Sequence, residues 1–263
     1  PKGSEVMLQA FTCVAVPNSV LWAELKPVYV DIDKTLNIDV VDAEKKLTPK
    51  TKVLIVQHTF GVPADMDKVV SFCRRHNLLL IEDCAHALGA RYDSRLVGTF
   101  GDAAFFSFGR DKIVSSVFGG VAITNNKNLG KKLAQYQSEC QNPPYIWIAQ
   151  QLLHPILTFI SLYTYDWLSL GKLLIYVAQR LKLLSFPVYK QEKRGGKPIY
   201  FPRKYPNALA CLVLGQLARL ESANDRRRQI AKKYLTHLSK AELDLPKYDR
   251  EATYLRLNIV TAN

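Results

Sequence analysis

Apolar runs of strand length alternate with segments of helical periodicity over the first half of the chain. Several of these runs are continuously apolar, which is typical of strands buried on both faces of a parallel sheet. Strands that alternate with helices favour a mostly parallel sheet. The pattern predicts strands at 5–9, 27–33, 52–57, 78–81, 103–108 and 120–124, and helices at 14–25, 40–47, 66–76 and 127–139, with Asp65 capping the third helix.

The pattern changes after residue 139. Residues 140–165 contain no Asp, Glu, Lys or Arg, and residues 168–184 are again apolar but carry three basic residues. Pro155 and the break at Gly171 predict two antiparallel apolar helices. Such a hairpin lies in or re-enters a bilayer interface, with Trp147 and Trp167 at headgroup depth, or packs on the protein or a dimer partner. A true membrane span, which takes about 20 apolar residues, is the third alternative.

The last part of the chain predicts two further elements. A long amphipathic helix starts at Asn207, and residues 254–260 have the composition of a strand. The chain begins Pro1-Lys2-Gly3 without a methionine or a secretory signal, so we expect it to be a fragment of a longer chain.

Composition limits the class of protein and the partners it can have. With 263 residues and 48% hydrophobic content, the chain can bury the core of one large α/β domain or somewhat more. Its five cysteines are scattered without CxxC spacing, which argues against disulfides and zinc and for the cytoplasm. The net charge of +13 predicts anionic partners. No nucleic-acid-binding motif is found, so nucleotide-linked sugars and anionic lipid headgroups are favoured over nucleic acid.

Two of the predicted strands end in residues that can carry chemistry. The run at 78–81 stops at Glu82 and Asp83, with His86 just beyond, and the run at 103–108 is followed by Lys112. Ligands of open α/β sheets bind outside the carboxyl ends of the strands. Taken singly, an Asp at a strand end is usually a cap or turn residue and a Lys is usually a solvated charge. Their occurrence together in one short stretch favours a functional site.

An ordered series of motifs surrounds these residues: Asp83-Cys84-Ala85-His86-Ala87, Gly101-Asp102, Ser107-Phe108-Gly109-Arg110-Asp111-Lys112 and Gly119-Gly120-Val121-Ala122-Ile123-Thr124-Asn125. The series resembles the DegT/DnrJ/StrS family, and the resemblance extends from about residue 3 to 133 and again from about 207 to 234. It implies pyridoxal 5'-phosphate (PLP) aminotransferases of the aspartate aminotransferase fold, which act on sugars and work as homodimers.

The resemblance implies an α/β fold with a mostly parallel sheet of the seven-stranded type, flanked by helices, as in the large domain of PLP-dependent transferases. An apolar helical insertion and an incomplete C-terminal α+β domain complete the predicted architecture. We predict the PLP-binding domain at 1–139, the insertion with a basic loop at 140–200, and the long helix with the start of the small domain at 201–263. The phosphate-binding Gly-Thr/Ser turn of the resembling proteins lies upstream of this sequence.

The resemblance also implies roles for four residues. Asp83 is the partner of the PLP ring nitrogen, which must stay protonated for the cofactor to act as an electron sink. Lys112 forms the Schiff base and moves the proton between the cofactor and the substrate carbon. His86 lies near the cofactor's phenolic oxygen, unless it is only a packed, hydrogen-bonded histidine. Ser107 binds the phosphate.

Two further cofactor-binding candidates come from the resemblance. Cys13 stands where the family has an aromatic residue that stacks on the cofactor, so either Phe11 substitutes for it or other contacts hold the ring. His58 matches a family histidine near the active site, and the alternative is a strand-end histidine bonded to backbone. Arg203 and Asn207 are candidates for contact with a neighbouring subunit's cofactor.

The lysine separates two reactions within the resembling family. Some relatives are sugar dehydratases with His at this position, so Lys112 favours transamination. The resemblance therefore implies an aminotransferase that transfers the amino group of glutamate to a keto sugar linked to a nucleotide. The product would serve polysaccharide or glycoconjugate biosynthesis. We expect it in the cytoplasm, with peripheral contact to the inner face of the membrane through residues 145–185. The alternatives are an aminotransferase for a non-sugar cyclic ketone and an inactive, membrane-associated relative.

Overall fold

A mostly parallel sheet forms the centre of the fold. The computed structural model describes residues 2–167, 169–181, 183–186, 188–198, 201–239 and 245–259. The strands found there are β1 (Glu5–Gln9), β2 (Lys26–Val30), β3 (Thr51–Gln57), β4 (Leu79–Asp83), β5 (Arg91–Tyr92), β6 (Arg95–Leu96), β7 (Ala103–Ser107) and β8 (Gly120–Ile123). Six of them form one sheet in the order β2-β1-β3-β4-β7-β8, and β5 pairs with β6 in a separate hairpin.

The direction of the strands follows the prediction. The first five strands of the sheet are parallel, and β8 runs antiparallel to β7 at one edge. The expected seven-stranded type is represented by six strands in the described residues. Because β3, β4 and β7 are parallel neighbours, their carboxyl ends lie side by side.

Helices cover both faces of the sheet. They are α1 (Ala15–Trp22), α2 (Val40–Lys46), α3 (Met66–Arg75), α4 (Lys127–Glu139), α5 (Tyr145–Tyr163), α6 (Leu170–Arg180), α7 (Asn207–Leu217) and α8 (Leu220–Leu238). A side-chain oxygen caps the first turn of three of them, which satisfies backbone N–H groups that have no partner inside a helix. These caps are Asp39, Asp65 and Asn126, so the predicted cap at Asp65 is confirmed.

The hydrophobic core lies on both sides of β1. Successive side chains of a strand point to opposite faces, so Met7 enters one cluster and its neighbours Val6 and Leu8 enter another. The first cluster contains Phe72 of α3, and the second contains Val16 of α1. This two-sided burial explains why the strand sequences are continuously apolar.

The predicted long helix is divided. It forms α7 and α8, separated by Ala218 and Arg219. The side chain of Gln216 bonds the backbone of Ser115, and Asn224 donates to the carbonyl of Leu88. The two helices are therefore anchored on different loops, and no proline or glycine marks the break in the sequence.

The predicted strand at 254–260 is not formed in its described part, 254–259. Tyr254 has a φ of 45°, and the segment bonds the loop after β3 instead of joining the sheet. The N–H of Thr253 donates to the carbonyl of Gly61 at 2.9 Å, and that of Arg256 donates to the carbonyl of Phe60 at 3.4 Å. The C-terminal segment therefore packs against the edge of the sheet where the candidate residues lie.

The predicted pair of apolar helices is present as α5 and α6, which pack against each other. Ser161 donates its hydroxyl hydrogen to the carbonyl of Gly171 at 2.8 Å. A Cβ at Gly171 would lie 2.0 Å from the carbonyl oxygen of Ser161, so only glycine permits this close approach.

Candidate active site

Asp83 ends β4 and is almost completely buried. Its Oδ1 accepts the N–H of Ala85 at 2.9 Å. Burial raises the pKa of Asp83 to about 6, although the Ala85 hydrogen bond and the charges of His58 and Lys112 act in the opposite direction. A carboxylate at this depth favours a cationic partner.

Lys112 lies on the loop that follows β7, the neighbour of β4. Its side chain is 14% exposed, and Nζ lies 3.7 Å from Oδ1 of Asp111. Gly109 packs beside both Lys112 and Ser107: a Cβ there would lie 3.4 Å from Ser107 Oγ and 3.7 Å from Lys112 Cγ. The carboxyl ends of two adjacent strands thus bring Asp83, Ser107 and Lys112 to one edge of the sheet.

His86 forms a ring stack with Phe60. The two rings lie 5.5 Å apart at 15°, and His86 Nδ1 accepts the N–H of Phe60 at 3.3 Å. Burial, together with the charge of Lys112, lowers the pKa of His86 to about 4. A neutral imidazole that accepts at Nδ1 carries its proton on Nε2 and can donate from there.

Phe11 extends this ring cluster. Its ring meets Phe60 edge-on at 5.9 Å. Cys13 is exposed in the loop between β1 and α1, and its carbonyl accepts the N–H of Val16. Of the two residues considered for the aromatic position, Phe11 is therefore the one that joins the ring cluster.

His58 is fully buried beside the site, and both of its ring nitrogens are engaged. Nδ1 accepts the N–H of Ala64 at 3.1 Å, and Nε2 lies 3.3 Å from Oε2 of Glu82. The backbone N–H of His58 also donates to the carbonyl of Asp83 at 3.2 Å. This geometry favours the strand-end alternative, in which His58 supports Asp83 from the neighbouring strand.

Glu82 is the centre of this buried network, a role that was not identified from the sequence. Its carboxylate accepts N–H groups of Gly98 at 2.6 Å and of Phe100 and Gly101 at 2.7 Å. Burial raises its pKa, but hydrogen bonds from His58 and the backbone outweigh this effect and hold the pKa below its usual range.

The same network contains a buried trio of potential metal ligands. Atoms of His58, Glu82 and Cys84 lie within 4.8 Å of one another. A carboxylate has about four lone-pair positions, and those of Glu82 are taken by three backbone N–H groups and His58. The carboxylate of Glu82 is therefore occupied by hydrogen bonds, and His58 is one of its partners.

We expect His58→Phe to lower the free energy of unfolding by roughly 2 kcal/mol, because it leaves the N–H of Ala64 without its acceptor and Glu82 without one donor. Urea unfolding measures this change. His76→Phe, at the exposed pair with Glu44, is the matched control and should cost less. Equal costs would show that the buried network adds nothing.

One charged residue at the site, Arg256, also escaped sequence reasoning. Arg256 Nη2 lies 3.3 Å from Oδ2 of Asp111, the neighbour of Lys112, and its guanidinium lies 5.4 Å from the centre of the Phe60 ring. The 145 positions between Arg256 and Asp111 explain why no local pattern signals this contact.

The two candidates for contact with a neighbouring subunit are placed differently. Arg203 bonds within its own chain, to the side chain of Gln141 and to the carbonyl of Asn142 at 3.4 Å. Asn207 is exposed at the start of α7. All five cysteines are free.

Comparison with known proteins assigns this arrangement to a family. The sequence model of the DegT/DnrJ/EryC1/StrS aminotransferase family matches residues 1–146, more than half of the chain. GDP-perosamine synthase of Escherichia coli O157:H7 is 37% identical over 139 residues, which cover 52% of this chain and 38% of that protein. L-glutamine:2-deoxy-scyllo-inosose aminotransferase of Micromonospora echinospora is 31% identical over 227 residues, 86% of this chain and 45% of that protein. The chain spans less than half the length of these relatives.

A solved structure shows the same fold. E. coli GDP-4-keto-6-deoxy-D-mannose-3-dehydratase with bound hydrated PLP superposes with a TM-score of 0.73, over 100% of this chain and 60% of that chain, at 18% identity. The predicted fold class is confirmed, and the family together with this PLP-containing neighbour supports the predicted cofactor.

Proposed function

Because the chain belongs to the DegT/DnrJ/EryC1/StrS aminotransferase family, we propose that it carries out PLP-dependent transfer of an amino group to a keto sugar. The observation that carries this proposal is the buried carboxylate of Asp83, placed one strand away from the loop that presents Lys112. Transamination needs both a carboxylate for the cofactor's ring nitrogen and a primary amine.

The residues at this edge of the sheet fit PLP. A protonated ring nitrogen would give the buried carboxylate of Asp83 the cationic partner that its environment favours. The Ser107 hydroxyl would hold the phosphate, and Nε2 of neutral His86 would donate to the phenolic oxygen. The cofactor, when bound, supplies the electron sink that stabilises negative charge at the substrate carbon.

Lys112 would act twice in the reaction. Its amine would hold the cofactor, and the same amine would move a proton at the substrate carbon. Asp111, 3.7 Å from Nζ, and Arg256 beyond it form the charged surroundings of this amine. The ring cluster of Phe11, Phe60 and His86 would form an apolar wall on one side of the site.

The proposed substrates are an amino donor, glutamate, and a nucleotide-linked keto sugar. The family and the perosamine relative support this class. A non-sugar cyclic ketone is the second candidate acceptor, because the relative that matches 86% of this chain is named as an inosose aminotransferase. That relative's name also makes glutamine a second candidate donor.

We further propose that the protein works as a homodimer in the cytoplasm and touches the inner face of a membrane through residues 145–185. One helix of this segment, Tyr145–Tyr163, is long and apolar enough to cross a membrane by length and composition, and little of it is buried. Most of its apolar side chains face outward, which supports contact with a non-aqueous surface.

The visible absorption spectrum of the complete protein with added PLP tests the function. We expect a band that depends on Lys112, is absent in Lys112→Ala, and bleaches when glutamate is added, because the Lys112 amine would hold the cofactor and move the proton that amino transfer requires. Lys132→Ala, an exposed lysine on α4, is the matched control and should keep the band. If the complete protein does not show the band, the aminotransferase proposal is wrong and the alternative applies, that of an inactive, membrane-associated relative.

A further inference from the structure

The polarity of α5 is inverted relative to a helix on a water-soluble protein. Such a helix turns its apolar stripe to the core and its polar residues to water. Here the large apolar residues that face water lie towards the two ends of the helix, and together they form an apolar stripe: Tyr145 and Ile146 at its start, and Ile156, Phe159, Ile160, Leu162 and Tyr163 in its second half. The polar residues Gln151 and Ser161 are buried on the opposite side.

The inward face of α5 is held by specific contacts. Gln151 accepts the hydroxyl hydrogen of Ser185 at 2.7 Å, and Ser161 donates to the carbonyl of Gly171 on α6. The ring of Trp147 meets Phe118 at 5.5 Å. These bonds satisfy the polar groups internally, as a surrounding without water requires. They fix which side of the helix points outward.

The outward stripe is long and strongly exposed. Tyr145 is 90%, Phe159 is 71% and Tyr163 is 86% exposed. Nineteen helical residues extend about 28 Å, so the stripe runs far beyond one isolated contact. Apolar residues of α6 are exposed as well: Leu170, Leu173 and Val177.

The basic and aromatic residues of segment 140–198 indicate what kind of surface covers the stripe. Residues 140–198 contain seven Lys and Arg but two Asp and Glu. The described basic residues that follow α6 are exposed: Lys190, Lys193, Arg194 and Lys197. Tyrosine occurs at both ends of the stripe, and Trp167, 74% exposed, lies at the turn of the hairpin. Aromatic residues at the ends of an apolar stripe and an excess of basic residues in the same segment are the composition that favours the headgroup layer of an anionic bilayer.

The inward contacts continue into the candidate active site. Ser185, which bonds Gln151, also accepts Nη2 of Arg110 at 2.6 Å. Arg110 lies two residues before Lys112, and its guanidinium lies 5.6 Å from the centre of the Phe118 ring. One side of α5 therefore meets the loop that carries Lys112.

We propose that α5 and α6 lie flat in the headgroup layer of an anionic bilayer, with the stripe in lipid and the Lys112 loop held on the other side of α5 through Ser185 and Arg110. This inference deepens the membrane contact proposed above and rests on it. It places the amino transfer at the membrane surface, where acceptors attached to membrane lipids are within reach.

Tryptophan fluorescence in the complete protein tests this arrangement. The probes are two variants in which every tryptophan but one is replaced by Phe. One, with Trp22→Phe and Trp147→Phe, keeps Trp167, and the other, with Trp22→Phe and Trp167→Phe, keeps Trp147. In vesicles of phosphatidylglycerol with brominated acyl chains, we expect Trp167 to be quenched several-fold more than Trp147, which packs against Phe118. Equal quenching of both, or of neither, overturns the flat arrangement.

Vesicle co-sedimentation tests the stripe itself. Phe159→Glu should lower binding to phosphatidylglycerol vesicles by tenfold or more, whereas Tyr234→Glu, at a 58% exposed position on α8, should leave it unchanged. Equal losses, or binding by neither wild type nor variants, overturn the proposal. Loss of a dimer in Phe159→Glu without lipid, with no vesicle binding by the wild type, would instead assign the stripe to a second copy.

The absorption band that depends on Lys112 keeps the two proposals separate. A protein that binds vesicles but never shows the band retains the membrane surface and loses the aminotransferase function. A protein that shows the band but ignores vesicles retains the function and loses the membrane surface. Circular dichroism of Phe159→Glu, matching that of the wild type, shows that a loss of binding is not a loss of folding.

Discussion

Asp83→Asn is expected to lower the rate of transamination in the complete protein on the order of 10³-fold, while making the cofactor-free protein more stable at neutral pH. The rate falls because asparagine cannot hold the ring nitrogen of PLP in its protonated form. The fold is preserved, since the asparagine oxygen can still accept the N–H of Ala85. Steady-state kinetics and urea unfolding at several pH values measure the two effects.

The stability effect follows from the raised pKa. The pKa of Asp83 is about 6 in the folded protein and 3.8 in its reference state. Between these values the folded state holds a proton that the unfolded state has lost, so the free energy of unfolding falls as pH rises from about 4 to 6. This shift corresponds to about 3 kcal/mol above pH 6, which is the upper limit of what Asp83→Asn can recover.

Asp93→Asn provides the matched control, because Asp93 is exposed in the turn between β5 and β6. It should change neither the rate nor the pH dependence. Full activity in Asp83→Asn would show that Asp83 is not the partner of the cofactor's ring nitrogen. A variant that is inactive but less stable than the wild type at pH 8 would indicate that the carboxylate serves the fold.

Glu82→Gln is expected to lower the free energy of unfolding at pH 7 by about 3 kcal/mol, the largest stability loss we predict. The new amide turns N–H groups toward the backbone N–H of Gly98 or of Phe100 and Gly101, which now donate to the carboxylate. Donor facing donor leaves buried polar groups unsatisfied. Denaturant unfolding measures the loss.

The contribution of Glu82 to the free energy of unfolding changes with pH in the opposite direction to that of Asp83. The pKa of Glu82 is lowered from 4.5, so its contribution is present above about pH 4.5 and disappears as pH falls through the lower folded value. The difference between wild type and Glu82→Gln should therefore shrink on acidification. Glu24→Gln, exposed in the turn before β2, is the control. A difference that stays constant down to pH 3 would contradict the role of the charged carboxylate.

The two neighbouring carboxylates thus serve different purposes. Glu82 is surrounded by donors that stabilise its charge, whereas Asp83 is buried with one backbone donor and the charge of Lys112 nearby. A buried carboxylate with too few hydrogen-bond donors lowers the stability of the fold. Such a carboxylate is typical of a functional site, where a ligand supplies the missing partner. This contrast argues for Asp83 as the cofactor's residue, and for Glu82 as the residue that holds the loop at 98–101.

The local pattern of the sequence predicted the six strands of the main sheet, most helix boundaries, and the positions of Asp83 at a strand end and Lys112 on the loop after the next strand. The strand predicted at 254–260 was wrong in its described part, and the β5–β6 hairpin was not predicted. The correctly predicted features depend on residues a few positions apart, because apolar periodicity, caps and strand ends are local properties. The apolar hairpin was predicted for the same reason. Its outward stripe was not, since the faces of a helix are assigned only by what packs against it.

Tertiary structure decided the features that join distant segments. Arg256 meets Asp111 across 145 positions, Gln151 meets Ser185 across 34, and Phe60 stacks on His86 from a neighbouring loop. The division of the long helix into α7 and α8, and the course of 254–259 along the loop after β3, also follow from such contacts. Hydrogen bonds and ring contacts between remote residues leave no periodic trace in a sequence, because their partners are chosen by the folded chain.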